Sequence, residues 1–304
     1  MASATSWTSF FRSHGEGAVP PCGEPGCNFS RRLWRRFRWR HGTIGLHGSV
    51  YCAPHCFEFA ARQHFGRLCA AAFSAPPVRH RVPLGLLMIS RGQLTNPQLR
   101  LALEAQRADG RHRLGEWLEK LGFATEQQVT VALARQWACP VLSPTATLDP
   151  TCTRLLPYCL LERSRMLPVQ FVASTRTFHL AFCDGIDYVA LYAIEQMLDC
   201  HTQPCLATRS SVARTLRQLG HERRPGDMLF EGWREPSDLA RITCGYVLKL
   251  GASDVRLMGC GDFIWARLSI GLEIANLLFH RPRNFSSSDS PGFEASSAAF
   301  PVAG

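Results

Sequence analysis

An internal repeat in the middle of the chain constrains the fold more than any other feature of the sequence. The segment Pro83–Gln106 realigns on Arg113–Gln136 with a period of 30 residues. Self-similarity at a fixed period predicts that one supersecondary unit is used twice. The matched pairs are Leu84/Leu114, Gly85/Gly115, Met88/Leu118, Gly92/Gly122, Leu99/Val129, Ala102/Ala132, Leu103/Leu133 and Gln106/Gln136.

Each copy is predicted to be a pair of helices. In the first copy Gly92 lies just past a short helix, where a residue with positive φ commonly ends it. Thr95 and Gln98 match the T-x-x-Q capping box that begins a second helix. The apolar face of that helix then consists of Leu99, Ala102 and Leu103. The second copy has equivalent signals 30 positions later, so both copies are expected to fold alike.

Beyond the repeat, the segment 137–222 alternates strand-like and helix-like patterns, which predicts a small α/β layer. The expected elements are a helix near 150–163, strands at 166–172 and 177–182, a helix near 187–198, a strand at 201–207 and a helix at 210–219. The fold class is therefore predicted to be α+β, with the tandem helical-hairpin repeat packed on a small α/β domain. A short mixed unit is expected to follow at its C-terminal side.

These motifs resemble a known family. The pattern R-L-G-x-x-L-x3-G-x6-[LV]-x3-L-x2-Q occurs in full in the second copy and with Pro83 and Met88 in place of Arg and Leu in the first, and the phrases ACPVLSP, RMLPVQF, HLAFCDGIDYVAL and CLATRSSVARTL follow it. Over 82–222 the chain resembles the N-terminal domain of type II secretion and type IV pilus assembly ATPases, in the subtype called MshEN. The phrase LARITCGYVLKLGASDVRL resembles the opening of the module that precedes the nucleotide site there, with Arg256 in place of a His.

The resemblance implies a cyclic di-GMP site lined by both repeats. Pro83 stands where the first motif expects Arg, and Arg81, displaced by two residues, is the nearest substitute. Folding alone also explains glycine at a helix end and leucine on a helix face, and many family members use this domain only for protein contacts. Both interpretations remain open. The implied ligand residues are Arg113, Leu114, Gly115, Leu118, Gly122, Val129, Leu133 and Gln136, with Leu84, Gly85, Gly92, Leu99, Leu103 and Gln106.

Lysine use argues against an ATPase motor in this sequence. Only Lys120 and Lys249 occur, and each is followed by Leu, whereas a P-loop requires Gly-Lys-Ser/Thr to hold phosphates and Mg²⁺. Asp184, Asp187 and Asp254 are interpreted as turn and cap residues. We therefore expect a regulatory or adaptor protein that is not an enzyme. Its expected partners are inner-membrane components of a secretion or pilus system, or a separate ATPase.

Four of the thirteen cysteines form two close pairs, Cys22 with Cys27 and Cys52 with Cys56. Such spacing suits a tetrahedral zinc site of the treble-clef or zinc-ribbon kind, with a strand delivering Cys52 and a helix carrying Cys56. His41 or His55 could replace one ligand. The alternative is that the four cysteines are simply buried thiols, but so small a unit could hardly fold without a metal ion or disulfides to stabilise it. The other nine cysteines are expected in the core.

A basic run lies between the cysteine pairs. Arg31–Arg40 contains six Arg interleaved with Trp34, Phe37 and Trp39. Such a mixture suits nucleic acid, an anionic membrane surface, or simply a solvated face. The alternative function is therefore a zinc-finger nucleic-acid-binding regulator that uses the repeat domain as a sensor or dimerisation module.

Charge and composition divide the chain into four segments. Of the formal net charge of +10, residues 1–81 hold +8, from eleven Arg and three Glu. No apolar leader and no run of about 18 apolar residues occurs, so a cytoplasmic location, or a peripheral one at the inner membrane, is expected. The predicted segments are a basic zinc-finger-like unit at 1–75, the MshEN-like domain at 82–222, the remnant of the pre-ATPase module at 226–283, and a disordered tail at 284–304.

Overall fold

The computed structural model describes residues 21–27, 43–71, 81–143, 148–220, 226–233 and 235–280. The predictions for the basic run Arg31–Arg40 and for the tail at 284–304 lie outside the described residues. His41, one of the alternative metal ligands, also lies outside them.

The described chain contains both helices and strands, with a run of seven helices from α1 to α7 and three consecutive strands from β7 to β9, which confirms the α+β class. The elements are β1 (Ile44–Leu46), β2 (Ser49–Tyr51), α1 (Pro54–Ala70), α2 (Leu84–Ile89), α3 (Asn96–Asp109), α4 (Leu114–Lys120), α5 (Glu126–Gln136), α6 (Pro150–Thr153), α7 (Tyr158–Arg163), β3 (Met166–Val172), β4 (Thr177–Phe182), α8 (Tyr188–Leu198), β5 (His201–Leu206), α9 (Arg209–Gly220), β6 (Asp227–Phe230), α10 (Pro236–Leu250), β7 (Asp254–Cys260), β8 (Phe263–Ile270) and β9 (Glu273–His280).

The tandem repeat forms two helix pairs, α2 with α3 and α4 with α5. Thr95 begins α3 and Thr125 begins α5, and both make the full capping box with the Gln three residues later. Gly92 and Gly122 have φ of +67° and +70°, as a left-handed residue after a short helix requires. The two pairs share one apolar core of Met88, Leu94, Ala102, Leu118, Ala124, Val129 and Ala132.

One predicted helix is in fact two. The segment 150–163 forms α6 and α7, with Pro157 at the start of α7. Proline has no N–H to donate, and it disfavours helical backbone in the residue before it, so a single helix cannot run through this point. The other elements predicted for 166–219 begin and end within one residue of the predicted bounds.

The α/β part contains a three-stranded sheet in the order β3-β4-β5. β3 pairs antiparallel with β4, and β4 pairs parallel with β5. Because parallel strands need a crossover, α8 lies between β4 and β5 in the chain. The loop between β4 and α8, residues 183–187, therefore emerges at the carboxyl end of β4.

A second sheet joins distant parts of the chain. Its strand order is β2-β1-β7-β8-β9-β6, and β1 pairs parallel with β7. The cysteine-bearing N-terminal unit thus extends the sheet of the C-terminal unit, and α1 packs on α10 in the same core. Alternate residues of β8 face opposite sides: Ile264 and Ala266 pack towards α1 and α10, and Phe263 and Trp265 pack towards the α/β part. Both faces of β8 are therefore buried over most of its length.

Within the described residues, none of the helices has the length and apolarity needed to cross a membrane.

Candidate ligand site and candidate metal centre

The glycines of the two repeats allow close contact between the helices of each pair. A Cβ atom on Gly85 would lie 2.5 Å from Cδ1 of Leu99, and one on Gly115 would lie 2.8 Å from Cγ1 of Val129. Both distances are too short for a real side chain, so glycine lets α2 approach α3 and α4 approach α5. Packing alone thus accounts for these two glycines.

Arg113 connects the second repeat to the α/β part. It lies at the start of α4, and its guanidinium donates from Nη1 to the carbonyl oxygen of Asp184, 2.6 Å away. The side chain is otherwise exposed. It contacts the loop between β4 and α8, and it makes no other hydrogen bond with the described residues.

The Asp184 carboxylate is the centre of a charge cluster on this loop. Arg165 donates to one oxygen at 2.8 Å and Arg209 donates to the other at 2.8 Å. Burial opposes ionisation of Asp184, but the hydrogen bonds and charges of Arg209, Arg165 and Arg113 outweigh it and lower the pKa of Asp184 below its ordinary value. Asp184 is therefore held as an anion that binds Arg165 and Arg209 through its carboxylate, while its carbonyl binds Arg113, a larger role than the turn residue that the sequence predicted.

Two carboxylates of the second repeat complete the attachment. Glu116 of α4 lies 3.2 Å from Arg209. Glu126 of α5 accepts hydrogen bonds of 2.6 Å from the backbone N–H and from the hydroxyl of Ser210, so it caps the first turn of α9. The repeat and the α/β part are therefore tied together beside Arg113.

The entry to the first repeat is fixed by the end of the second. Nε2 of Gln136 donates to the carbonyl oxygen of Val82 at 2.7 Å. The next residue, Trp137, carries the guanidinium of Arg81 on its ring, with the central carbon 3.4 Å from the ring centroid. Gln106, the equivalent of Gln136, instead donates to the carbonyl of His112 at 3.4 Å. The two motifs therefore use their final Gln differently.

The predicted ligand residues divide by exposure. Arg113, Gly92 and Gly122 are exposed, whereas Gly85, Gly115, Val129 and Leu118 are buried, Leu118 completely. A completely buried side chain can only support a ligand site indirectly, by holding the helices. The half-buried members of the set are Leu84, Leu99, Leu103, Gln106, Leu114, Leu133 and Gln136.

Three residues near this surface were missed from the sequence as site residues: Asp184, Arg209 and Trp137. Asp184 and Arg209 each stand inside a family phrase, HLAFCDGIDYVAL and CLATRSSVARTL, and that is the signal that could have found them. Trp137 directly follows the second motif. Beside it lies an open cleft of about 270 Å³, which Tyr188, His179 and Gln203 also line.

The four paired cysteines converge at a separate point. The Sγ atoms of Cys22, Cys27, Cys52 and Cys56 all lie within 4.8 Å of one another. β2 ends just before Cys52, and Cys56 lies in the first turn of α1, as the sequence predicted. His55 is exposed and is not part of this group. The structure thus brings together the four residues of a zinc-finger-like unit.

The spacing of the thiols suits a tetrahedral metal ion. The Sγ–Sγ distances are 3.4 Å for Cys27–Cys52, 3.8 Å for Cys27–Cys56 and 3.9 Å for Cys52–Cys56. Zn–S bonds of about 2.3 Å place tetrahedral ligands about 3.8 Å apart. Without a cation, burial raises the pKa of Cys52 to about 12, and it raises the pKa of Cys56 as well. A metal ion is what would stabilise these groups as thiolates.

Residues 137–226 match the family described as the MshEN domain. A solved structure described as MshE with cdg is 31% identical, covers 46% of this chain and 99% of its own, and has a TM-score of 0.41. One structure of the N-terminal domain of XpsE is 17% identical, covers 44% of this chain and 92% of its own, and has a TM-score of 0.35. A second crystal form of that domain is 18% identical, covers 43% of this chain and 89% of its own, and has a TM-score of 0.27. A search of curated proteins found no match.

Proposed function

We propose that this chain, whose residues 137–226 are an MshEN domain, is a non-catalytic regulatory or adaptor protein of a type II secretion or type IV pilus system. In this proposal the tandem repeat binds cyclic di-GMP and the four cysteines bind zinc. The protein acts in the cytoplasm, at an inner-membrane component of the system or at a separate ATPase.

The observation that carries the ligand proposal is the placement of Arg113. Arg113 is exposed and is the N-cap residue of α4 in the intact second motif. Its guanidinium makes its one described hydrogen bond to a backbone carbonyl. A planar guanidinium with unused donors is suited both to phosphate oxygens and to stacking on a purine. Cyclic di-GMP presents two phosphates and two guanines, so an arginine of this kind supports its binding.

Calorimetric titration of cyclic di-GMP into the full chain tests the ligand proposal. We expect micromolar or tighter binding, at least tenfold weaker in Arg113→Ala and unchanged in Arg100→Ala, which removes an exposed arginine of α3. GMP is the control ligand, since it offers only one base and one phosphate. A folded protein that gives no binding heat would refute cyclic di-GMP as the ligand.

Zinc is supported by the donor set and by the distances between the four Sγ atoms. Four thiolates in a closed tetrahedral group are typical of a structural zinc site, which has no open position for a substrate. Elemental analysis of the purified chain should find about one zinc per chain, lost in Cys52→Ser. Cys139→Ser changes a half-buried cysteine outside the group, so its zinc content should equal that of the unchanged chain.

The adaptor role has its own test, because it does not depend on the ligand. The purified chain should hydrolyse ATP no faster than the buffer blank. An inner-membrane secretion or pilus component, or the ATPase of the same system, should co-purify with the full chain. ATP hydrolysis that co-purifies with the chain would refute the non-catalytic assignment, provided that a control purification without the chain shows no such activity.

A further inference from the structure

We infer that the solvent-exposed side of α1, in the cysteine-bearing N-terminal unit, is a binding surface for double-stranded DNA. The surface is the α1 stripe, which consists of His55, Phe59, Arg62 and Gln63, with Arg67 at its edge. It shares no residue with the proposed cyclic di-GMP site, so the inference does not depend on that proposal. The chemistry that recognises the partner is cationic contact with phosphates and hydrogen bonding to base edges.

The α1 stripe follows one side of the helix. Its four residues are spaced i, i+4, i+7 and i+8, which places their side chains on the same face. All four are exposed, and Phe59 is 49% exposed. The opposite side of the helix is buried and consists of Phe57, Ala61, Phe65 and Cys69. The stripe therefore lies on a helix that is held firmly from behind.

The positive charges of α1 are not neutralised. Neither Arg62 nor Arg67 takes part in an ion pair with the described residues, and both side chains are exposed. Glu58 is the single acidic residue of α1. It is half-buried and forms no described ion pair with Arg62, one turn further along the helix. The guanidinium groups are thus available to an anionic partner.

The sequence attached to this helix is strongly basic. Residues 1–81 hold eleven Arg and three Glu, and the stretch between Cys27 and Cys52 holds six Arg and no acidic residue. Cys27 and Cys52 belong to the candidate metal centre, together with Cys56 in the first turn of α1. The two ends of the basic stretch are therefore fixed beside the start of α1. Such a concentration of charge complements duplex DNA, which carries one negative charge per about 1.7 Å of its axis.

The side chains of the α1 stripe also suit base edges. Arginine pairs with guanine, glutamine pairs with adenine, and an aromatic ring contacts the thymine methyl group. With 17 residues, α1 is about 25 Å long, and a major groove about 12 Å wide admits a helix. The order β1-β2-α1 is the order of the zinc fingers that place their helix in the major groove.

The same surface is poorly suited to a membrane. A helix that lies in a membrane surface presents a face of several large apolar side chains. In α1 only Phe59 is a large hydrophobic residue with an exposed side chain. Duplex DNA is therefore a better match to this helix than anionic lipid.

Fluorescence anisotropy of a labelled random-sequence duplex of about 24 base pairs, more than two helical turns, tests the inference with the full chain. The double variant Arg62→Ala, Arg67→Ala should bind at least tenfold more weakly. The slope of log affinity against log salt concentration should fall by about 1.8, because each lost phosphate contact accounts for about 0.9. The matched control is Arg100→Ala, Arg107→Ala, which removes two exposed arginines from α3 and should bind the duplex like the unchanged chain.

The possible results separate the alternatives. A folded α1 double variant that binds the duplex like the unchanged chain would overturn the inference. So would a folded unchanged chain that binds no duplex, that binds the single strand more tightly, or that binds only phosphatidylglycerol vesicles. None of these results bears on cyclic di-GMP binding, which is measured separately.

Thermal melts show whether the α1 double variant is folded. If it is not, ultraviolet crosslinking of the unchanged chain to the same duplex, followed by mass spectrometry of peptides, decides the question. Crosslinked peptides from α1 would support the inference, and crosslinks confined to other segments would overturn it.

Discussion

Asp184 and Gly185 show how much of the site depends on two adjacent residues. Asp184 collects Arg113 by its carbonyl and Arg165 and Arg209 by its carboxylate. Gly185 has φ of +133°, a conformation that a side chain rarely adopts, and it accepts the ring of Trp137 at close range. The sequence marks this pair as a turn between a strand and a helix, but its four partners come from four other places in the chain.

Gly185→Ala should therefore destabilise the protein. We expect the free energy of unfolding to fall by about 1–3 kcal/mol, because the backbone is strained and the new Cβ meets Trp137. Gly66→Ala is the matched control: it lies in α1, no atom is within 4 Å of its Cβ position, and alanine favours a helix by up to about 1 kcal/mol. Urea unfolding measures both variants, and equal losses in the two would contradict the account.

At the scale of elements, features set by neighbouring residues can be predicted from the sequence more easily than contacts between distant elements. The capping boxes of α3 and α5 and the glycines after α2 and α4 were predicted, because each depends on residues within one turn of the helix concerned. The hairpin of β1 and β2 was harder to place. Backbone hydrogen bonds attach β1 to β7, and His47 in the turn adds a side-chain contact, since its Nε2 accepts a hydrogen bond from the backbone N–H of Leu257 in β7.

The attachment of this hairpin should depend on pH. Burial, and then the charges of His64 and Arg256, lower the pKa of His47 to about 4. The folded state thus binds fewer protons than the unfolded state, in which the pKa is about 6.5. Stability from neutral His47 is fully present above pH of about 6.5 and is lost progressively as the pH falls towards 4.

His47→Gln separates this effect from other acid effects. The Gln carbonyl can accept the same hydrogen bond without taking up a proton, so the variant should lose less stability than the unchanged chain between pH of about 6.5 and 4. Urea unfolding at several pH values gives the comparison. Parallel curves for the two proteins would show that His47 does not carry the dependence.

At the scale of the whole molecule, the candidate metal centre lies in the N-terminal unit, whose core is continuous with that of the C-terminal unit. It fixes the start of α1 and the end of β2, and these elements complete one edge of the sheet and one face of α10. Phe57 and Phe65 of α1 are completely buried there. A metal ion in this position would stabilise a core that is shared by the N-terminal and C-terminal units, rather than a separate finger.

Removal of the metal should then loosen a defined part of the protein. After chelation, hydrogen exchange should increase in β1, β2 and α1. It should also increase in α10, because α1 would no longer pack against that helix. The three-stranded sheet of β3, β4 and β5 packs in a different core, on the other face of the second sheet from α1 and α10, and should keep its protection. Mass spectrometry of peptides from the full chain makes the measurement, and uniform exchange across both sheets would contradict this role.

The sequence by itself determined the features that depend on near neighbours: the doubled helix pair, the strands and helices between 166 and 219, and the spacing of the four cysteines. Even there, Pro157 divided a predicted helix, since one residue can outweigh an apolar pattern. Only the tertiary structure decided that β1 pairs with β7, about 200 residues away, and that Arg81, Arg113 and Trp137 meet at one loop. Such contacts follow from the burial of whole surfaces, and no short stretch of sequence specifies which surfaces will meet.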